Sequence, residues 1–383
     1  MLKASGLAGS VAGLVVDAST DTTLYAGQPD ETLPPASTLK LFTAAAALAV
    51  LRPSSTLTTR VARDADTVYL VGGGDVTLTA KAVPGYPATA TLAQLAVRTA
   101  VALGPSAHVQ LRYDAGDWGG PAQATGWTST YFTSGNISRL SELELDEARL
   151  TAGATSPRAP DPALQTADAF RRALVAAGVD VTGPPRPATL PSAAQDIAAV
   201  SSPTIAALVQ RLLTTSDNDL AEALGRLVAQ RQAQPATFTG AANAVKAVVE
   251  RLGVPTSGLR LYDASGLSRL DRVTPRALVA VLRLAQRDEP TLNPLLAGLP
   301  VAGFTGTLSD RYRQKPSAGG AGVVRAKTGT LAGVNALAGQ VVDADGRLLV
   351  FAFIADHVPS PDVGESALDS LAGALARCGC GST

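Results

Sequence analysis

The chain has 383 residues, 46% of them hydrophobic and 17% charged. That composition can fill a large core, and the length points to two domains rather than one. Its 32 basic and 32 acidic side chains cancel, so no excess charge marks a nucleic-acid or anionic-membrane surface.

Met1 to Ser10 holds one lysine and no long apolar segment, so no export signal is read there. The stretch 11–17 (VAGLVVD) reads as a buried strand and 22–26 (TTLYA) as its antiparallel partner. A helix carrying Ser37 follows and runs into the apolar segment 41–51. That segment is too short to span a bilayer. Being apolar on all sides, it belongs in a core. From about Asp64 to Ser201 the texture changes to short strands, Gly/Pro turns and a few helices. Strands are predicted at 68–71 and 109–113, and helices at 92–103 and 163–177. The run Gly183-Pro184-Pro185-Arg186-Pro187 predicts a loop near the point of return. Helices dominate from Thr204: 205–213, 220–231, 241–252 and 275–286. Three strands close the chain, at 322–328, 335–342 and 347–354. A last helix then sets Leu368, Leu371 and Leu375 on one face.

Strand pairs at both ends with helices between them predict an α+β fold. One mostly antiparallel sheet, flanked by helices, is assembled from both termini. On this reading residues 1–63 and 202–383 form a discontinuous domain, and 64–201 form an inserted mixed domain or domains. The two cysteines, Cys378 and Cys380, are one residue apart, an awkward spacing for a mutual disulfide. With only His108 and His357 besides, no Cys/His cluster offers a metal site, and no cofactor is expected.

Three short segments carry chemistry. Ser37 and Lys40 stand three residues apart at the head of the apolar run, a spacing that puts both on one helix face. A lysine denied water favours its neutral form and can take a proton. A serine hydroxyl is a poor nucleophile until an adjacent base removes its proton. Arginine cannot serve as that base, and only six of the 32 basic residues are lysines. The second segment is Ser216-Asp217-Asn218-Asp219. By itself it also reads as a helix N-cap. Functionally it offers a hydroxyl to relay a proton and an amide to grip a carbonyl. The third is Lys327-Thr328-Gly329-Thr330, at a strand end. It offers an edge for an extended peptide, a charge and a hydroxyl beside it, and a glycine where a substrate backbone approaches.

Ser-x-x-Lys, Ser-Asp-Asn and Lys-Thr-Gly, in this order, resemble the active-site set of the penicillin-interacting serine enzymes. The segments 70–75 (LVGGGD), 262–269 (YDASGLSR) and 299–308 (LPVAGFTGTL) narrow the likeness. They resemble the D-Ala-D-Ala carboxypeptidase/endopeptidase family, the low-molecular-mass class C penicillin-binding proteins. The resemblance runs from about Gly13 to Leu375, and the long gap between Lys40 and Ser216 fits it. The chain departs from the family pattern at Ala264 and at Thr305, and its insert looks short.

The resemblance implies a β-lactamase/transpeptidase-like fold and a serine D,D-peptidase that cleaves D-alanyl bonds of peptidoglycan stem peptides. It implies Ser37, Lys40 and Ser216 as catalytic residues, and Asn218, Lys327, Thr328 and Thr330 as substrate-binding residues. β-Lactams are then covalent inhibitors at Ser37, and the protein is exported to the periplasm or cell wall. Two other readings stand beside it: a β-lactamase or esterase on the same scaffold, and a non-catalytic peptidoglycan-binding protein. His108 and His357 are expected to be ordinary surface or core residues. Trp118, Trp127 and Tyr131 are expected to pack within the insert.

Overall fold

In the computed structural model the described residues are 7, 11–82, 84–85, 87–153, 155–287 and 290–379. Cys380 lies outside them. In chain order the first elements are β1 (Val11–Asp17), β2 (Thr23–Gly27), α1 (Lys40–Leu51), β3 (Thr56–Asp64), β4 (Thr67–Val71), α2 (Leu92–Leu103) and β5 (His108–Asp114). Then come α3 (Thr130–Thr133), α4 (Pro162–Ala176), β6 (Asp180–Pro187), β7 (Gln195–Thr204), α5 (Ile205–Thr215), α6 (Asn218–Arg231) and α7 (Phe238–Arg251). The chain closes with α8 (Pro275–Gln286), α9 (Asn293–Ala297), β8 (Val324–Leu331), β9 (Val334–Val342), β10 (Leu348–Asp356) and α10 (Pro361–Ala376).

The first sheet has the order β2-β1-β10-β9-β8 and is antiparallel throughout. The N-terminal strand thus pairs directly with the last strand, Val11 opposite Ala355 and Asp17 opposite Leu349. Successive residues of a strand face opposite sides, and both sides of this sheet are covered. Phe351 and Phe353 point toward Leu368, Leu371 and Leu375 of α10. Val350, Ala352 and Ile354 point into the cluster built from α1 and α5 to α8. That double burial is why 348–355 is almost uniformly apolar. Helix α1 runs through the middle of the helical cluster, with eight of its side chains from Leu41 to Leu48 fully buried.

The second sheet has the order β6-β5-β4-β3-β7. Strand β3 is antiparallel to β4 and β7, whereas β4–β5 and β5–β6 are parallel. Leu92, Leu95 and Ala96 of α2 and Phe170 and Leu174 of α4 cover one of its faces. The Pro-rich run expected to be a loop is instead part of β6. It sits at the sheet edge, where a residue without an N–H does least harm to the ladder. Strands β3 and β7, which carry the chain into and out of this sheet, had no counterpart in the sequence reading.

Candidate active site

Ser37 lies on a single 3₁₀ turn, Ala36–Leu39, that leads into α1 at Lys40. In a 3₁₀ turn residues i and i+3 eclipse, so the two side chains are stacked more directly than in an α-helix. Thr38 steadies the turn by donating to the Pro35 carbonyl at 2.7 Å. Ala36 is held at φ 46°, and the Cβ that any other residue would add at Gly266 would fall 2.0 Å from the Ala36 carbonyl oxygen. The loop bearing Gly266 therefore presses directly on the nucleophile turn.

Lys40 is fully buried, and its Nζ makes three contacts that use its donors. It donates to Ser37 Oγ at 2.9 Å, to Asn218 Oδ1 at 2.7 Å and to the Ser265 carbonyl at 2.7 Å. Loss of water pushes its pKa down from 10.5 to about 8, against the pull of Asp263 and Glu222.

Ser216 and Asn218 come from the junction between α5 and α6. Ser216 takes a left-handed conformation, φ 59° and ψ 38°, and ends α5. Asp217, not Ser216, caps α6, accepting from the Leu220 N–H at 3.0 Å. The cap and the functional reading therefore coexist: the aspartate holds the backbone and its two neighbours are turned toward the lysines. Asn218 also donates through Nδ2 to the Asn136 carbonyl at 2.9 Å, which ties the site to the 135–158 stretch.

Lys327, Thr328 and Thr330 lie within β8 rather than at its end. Lys327 is fully buried and donates to Ser216 Oγ at 2.9 Å and to the Thr328 carbonyl at 2.8 Å. Burial, with Lys40 and Arg311 nearby, holds its pKa well below the ordinary lysine value. Thr328 Oγ1 is 2.8 Å from Thr307 Oγ1. Thr330 is exposed and donates through Oγ1 to Glu365 Oε1 of α10 at 2.9 Å. Strand β8 is the sheet edge. The segment 300–302 covers that edge as far as Ala326, accepting from the Ala326 N–H at Pro300. Among the described residues no strand continues this cover along Thr328 to Thr330. A Cβ at Gly329 would come within 2.7 Å of the Pro35 carbonyl and 3.2 Å of the Ser37 nitrogen, so β8 and the nucleophile turn nearly touch.

All seven residues singled out from the sequence thus belong to one connected place. Ser37, Lys40 and Asn218 are joined by direct bonds, as are Ser216, Lys327 and Thr328, and Gly329, next to Thr330 on β8, lies against the Ser37 turn. Four participants were not singled out as site residues: the Ser265 carbonyl, Glu222, Asn136 and Thr307. Carbonyl contacts leave no trace in residue type. Glu222, however, stands four residues after Asn218 on the same helix face, which was a readable signal.

Around the site, Glu147 is packed among Arg149, Arg158 and Arg211, while Arg158 pairs with Asp219 at 3.0 Å and Arg211 with Asp217 at 3.4 Å. This web fixes the start of α6 against residues 146–158. A cavity of ≈ 1000 Å³ opens beside it and is lined by Ser216, Asn218, Arg149 and Arg211 among others. His108 and His357 are both exposed and take no part in these contacts; His108 Nδ1 lies 2.6 Å from Asp180 Oδ2. Trp127 does not pack solely with its neighbours in sequence. Its ring meets Phe238 of α7 at a centroid distance of 4.8 Å, and its Nε1 donates to Asp263 Oδ2 at 2.7 Å.

A serine hydroxyl beside an amine of lowered pKa, a second amine beside a second hydroxyl, and an open strand edge are the parts that acyl transfer requires. The family model for the D-Ala-D-Ala carboxypeptidase 3 (S13) family matches residues 1–163 and 153–378. A carboxypeptidase of Mycobacterium tuberculosis is 37% identical over 97% of this chain and 81% of its own length. A D-alanyl-D-alanine carboxypeptidase of Actinomadura is 31% identical over 91% of this chain and 78% of its own. Penicillin-binding protein 4 of Haemophilus influenzae shares the fold, with a TM-score of 0.78 over 98% of this chain and 97% of that one, at 20% identity. With its fold, its three motifs and its relatives in agreement, the chain belongs to the S13 family of D-Ala-D-Ala carboxypeptidases.

Proposed function

We propose that this protein is a serine D,D-peptidase that cleaves D-alanyl bonds in peptidoglycan stem peptides through an acyl-enzyme on Ser37. The observation that carries the proposal is the 2.9 Å contact between Ser37 Oγ and a fully buried Lys40 Nζ. Neutral Lys40 takes the hydroxyl proton as Oγ attacks the penultimate D-Ala carbonyl. The oxyanion is met by the backbone N–H groups of Ser37 and Thr330; losing one such donor costs on the order of a hundredfold in rate. The C–N bond breaks as Ser216, backed by Lys327, delivers a proton to the departing D-Ala amine and regains one from the ammonium of Lys40, which is thereby neutral again. Thr328 binds the terminal carboxylate, and Asn218 holds the acyl side. Water then attacks the ester, giving its proton back through Lys40 and freeing Ser37.

On this reading residues 1–63 and 202–383 supply the catalytic unit and 64–201 an insert, with β3 (Thr56–Asp64) at the boundary joined to the insert's sheet. The protein works in the periplasm or cell wall after export. β-Lactams mimic the D-alanyl bond and acylate the same hydroxyl. Mass spectrometry of the intact and digested protein after benzylpenicillin treatment tests all of this at once. A stable adduct on the peptide containing Ser37 is the expected result. An adduct elsewhere, or rapid loss of the adduct with penicillin turnover, sinks the peptidase reading.

A further inference from the structure

Glu222 lies one helical turn beyond Asn218 on α6 and is fully buried. Its Oε1 accepts two backbone N–H groups at once, from Ala264 at 2.9 Å and from Ser265 at 2.8 Å. The carbonyl of the same Ser265 is the third acceptor of Lys40 Nζ. Thr43, one turn beyond Lys40 on α1, donates to the Ala264 carbonyl at 2.6 Å, clamping that loop from the other side. A Cβ at Gly225 would sit 2.6 Å from Ala264 Cβ, so α6 and the loop are already in closest packing. The other carboxyl oxygen, Oε2, is buried with no hydrogen-bond partner. A leucine here would orphan both buried amides, so this position is kept for the acceptor that Oε1 supplies to the loop.

We propose that Glu222 is a positioning residue for the base: it fixes the Ala264–Ser265 peptide so that the Ser265 carbonyl orients Lys40 toward Ser37, and its ionisation state governs the charge beneath that amine. Consecutive turns of α6 thereby hold Lys40 on two sides, through Asn218 directly and through Glu222 by way of the loop. Burial, with Asp263 close by, pushes the Glu222 carboxyl up to about 8, the region in which Lys40 titrates. The charged groups that bear on the pair are Asp263 and Asp271 from the loop, Asp217, Asp219 and Arg226 from α6, and Lys327 from β8. An ionised Glu222 stabilises the ammonium form of Lys40, and a neutral one releases it.

This inference rests on Lys40 being the base, and one experiment separates the two claims. The rate of acylation by benzylpenicillin is measured from about pH 6 to pH 10 for the native protein, E222Q and E222A, with thermal melting to establish folding. E222A, which loses both amide contacts, is expected to acylate roughly a hundredfold more slowly. E222Q keeps an acceptor for both amides and is expected to recover most of the rate, with its half-maximal pH lowered by about one unit because the negative charge is gone. Superimposable profiles for native and E222Q overturn the proposal, as does a folded E222A that reacts at the native rate. If E222A fails to fold, the E222Q profile decides. Absence of a Ser37 adduct in the native protein would strike the assignment of the base instead.

Discussion

Lys327 donates to Ser216 across 111 residues of sequence, at 2.9 Å, while Lys40, whose charge acts on Lys327, donates to Ser37 at 2.9 Å. The site therefore has two lysine–serine pairs of different parentage. One is made within a single helical turn; the other exists only when β8 is docked against the α5–α6 junction.

The two pairs should fail differently. Ser216→Ala leaves the nucleophile and its base intact but removes the route for the proton to the leaving amine. It is expected to lower D-Ala release by about a hundredfold to ten-thousandfold, the usual weight of a positioned acid or base. β-Lactam acylation, whose strained ring opens more readily, should fall less. Equal losses in the two assays would remove Ser216 from leaving-group protonation.

The acylation rate should follow the neutral fraction of Lys40. Its pKa lies at about 8, lowered from 10.5 by burial, so the neutral amine is scarce below pH 8 and predominant above it. The rate is thus expected to rise about tenfold per pH unit on the acid side and to level off beyond about pH 8. Lys40→Arg should be inactive at every pH, since a guanidinium does not give up its proton. Stopped-flow quenching with a fluorescent penicillin reads both.

Gly329→Ala tests the approach of β8 to the nucleophile turn. The added methyl meets the Pro35 carbonyl at 2.7 Å and the Ser37 nitrogen at 3.2 Å. Either strand or turn must shift by several tenths of an ångström, enough to spoil the donor geometry around the reacting carbonyl. A loss of roughly a hundredfold in kcat/KM is expected, together with a lowered melting temperature, since backbone atoms must give way. Native kinetics in this variant would mean that the close approach has no bearing on the reaction.

Trp127→Phe examines the tie between the insert and the loop under Lys40. Asp263 accepts from Trp127 Nε1 at 2.7 Å, from the Gly266 N–H at 2.7 Å and from the Ser268 N–H at 2.7 Å. Removing the indole donor leaves a buried carboxylate short of one partner, a cost of about 1–3 kcal/mol. A lowered denaturation midpoint is expected, with weaker penicillin labelling of the folded fraction. An unchanged midpoint would show the bond to be energetically idle.

Much of this was legible in the residues because each strand and each motif is local in sequence. Phe351 and Phe353 alternate with Val350 and Ala352, and Ser37 and Lys40 stand at a spacing that a helical turn makes a contact, whereas Asn218 joins them across 178 residues. The parts that stayed hidden depend on contacts no local pattern encodes. The edge strand β6 looks like a loop because proline is tolerated only where the ladder ends. Trp127 was read as internal packing, yet it bonds a loop 136 residues away. The Ser265 carbonyl arises from backbone position, to which side-chain chemistry gives no clue; only Glu222, in step with Asn218 on α6, carried a signal.

The pairing of β1 with β10, and the seat of Lys327 on β8, have a bearing on the timing of synthesis. As the nascent chain leaves the ribosome, Ser37 and Lys40 emerge well before β8. The strand that would lay a peptide across them follows almost three hundred residues later. Until that C-terminal hairpin zips onto the N-terminal strand, the hydroxyl has no platform to work against and no second lysine to finish the reaction. In a chain cut short before β8, Ser37 and Lys40 stand without Lys327 and without the strand edge beside them.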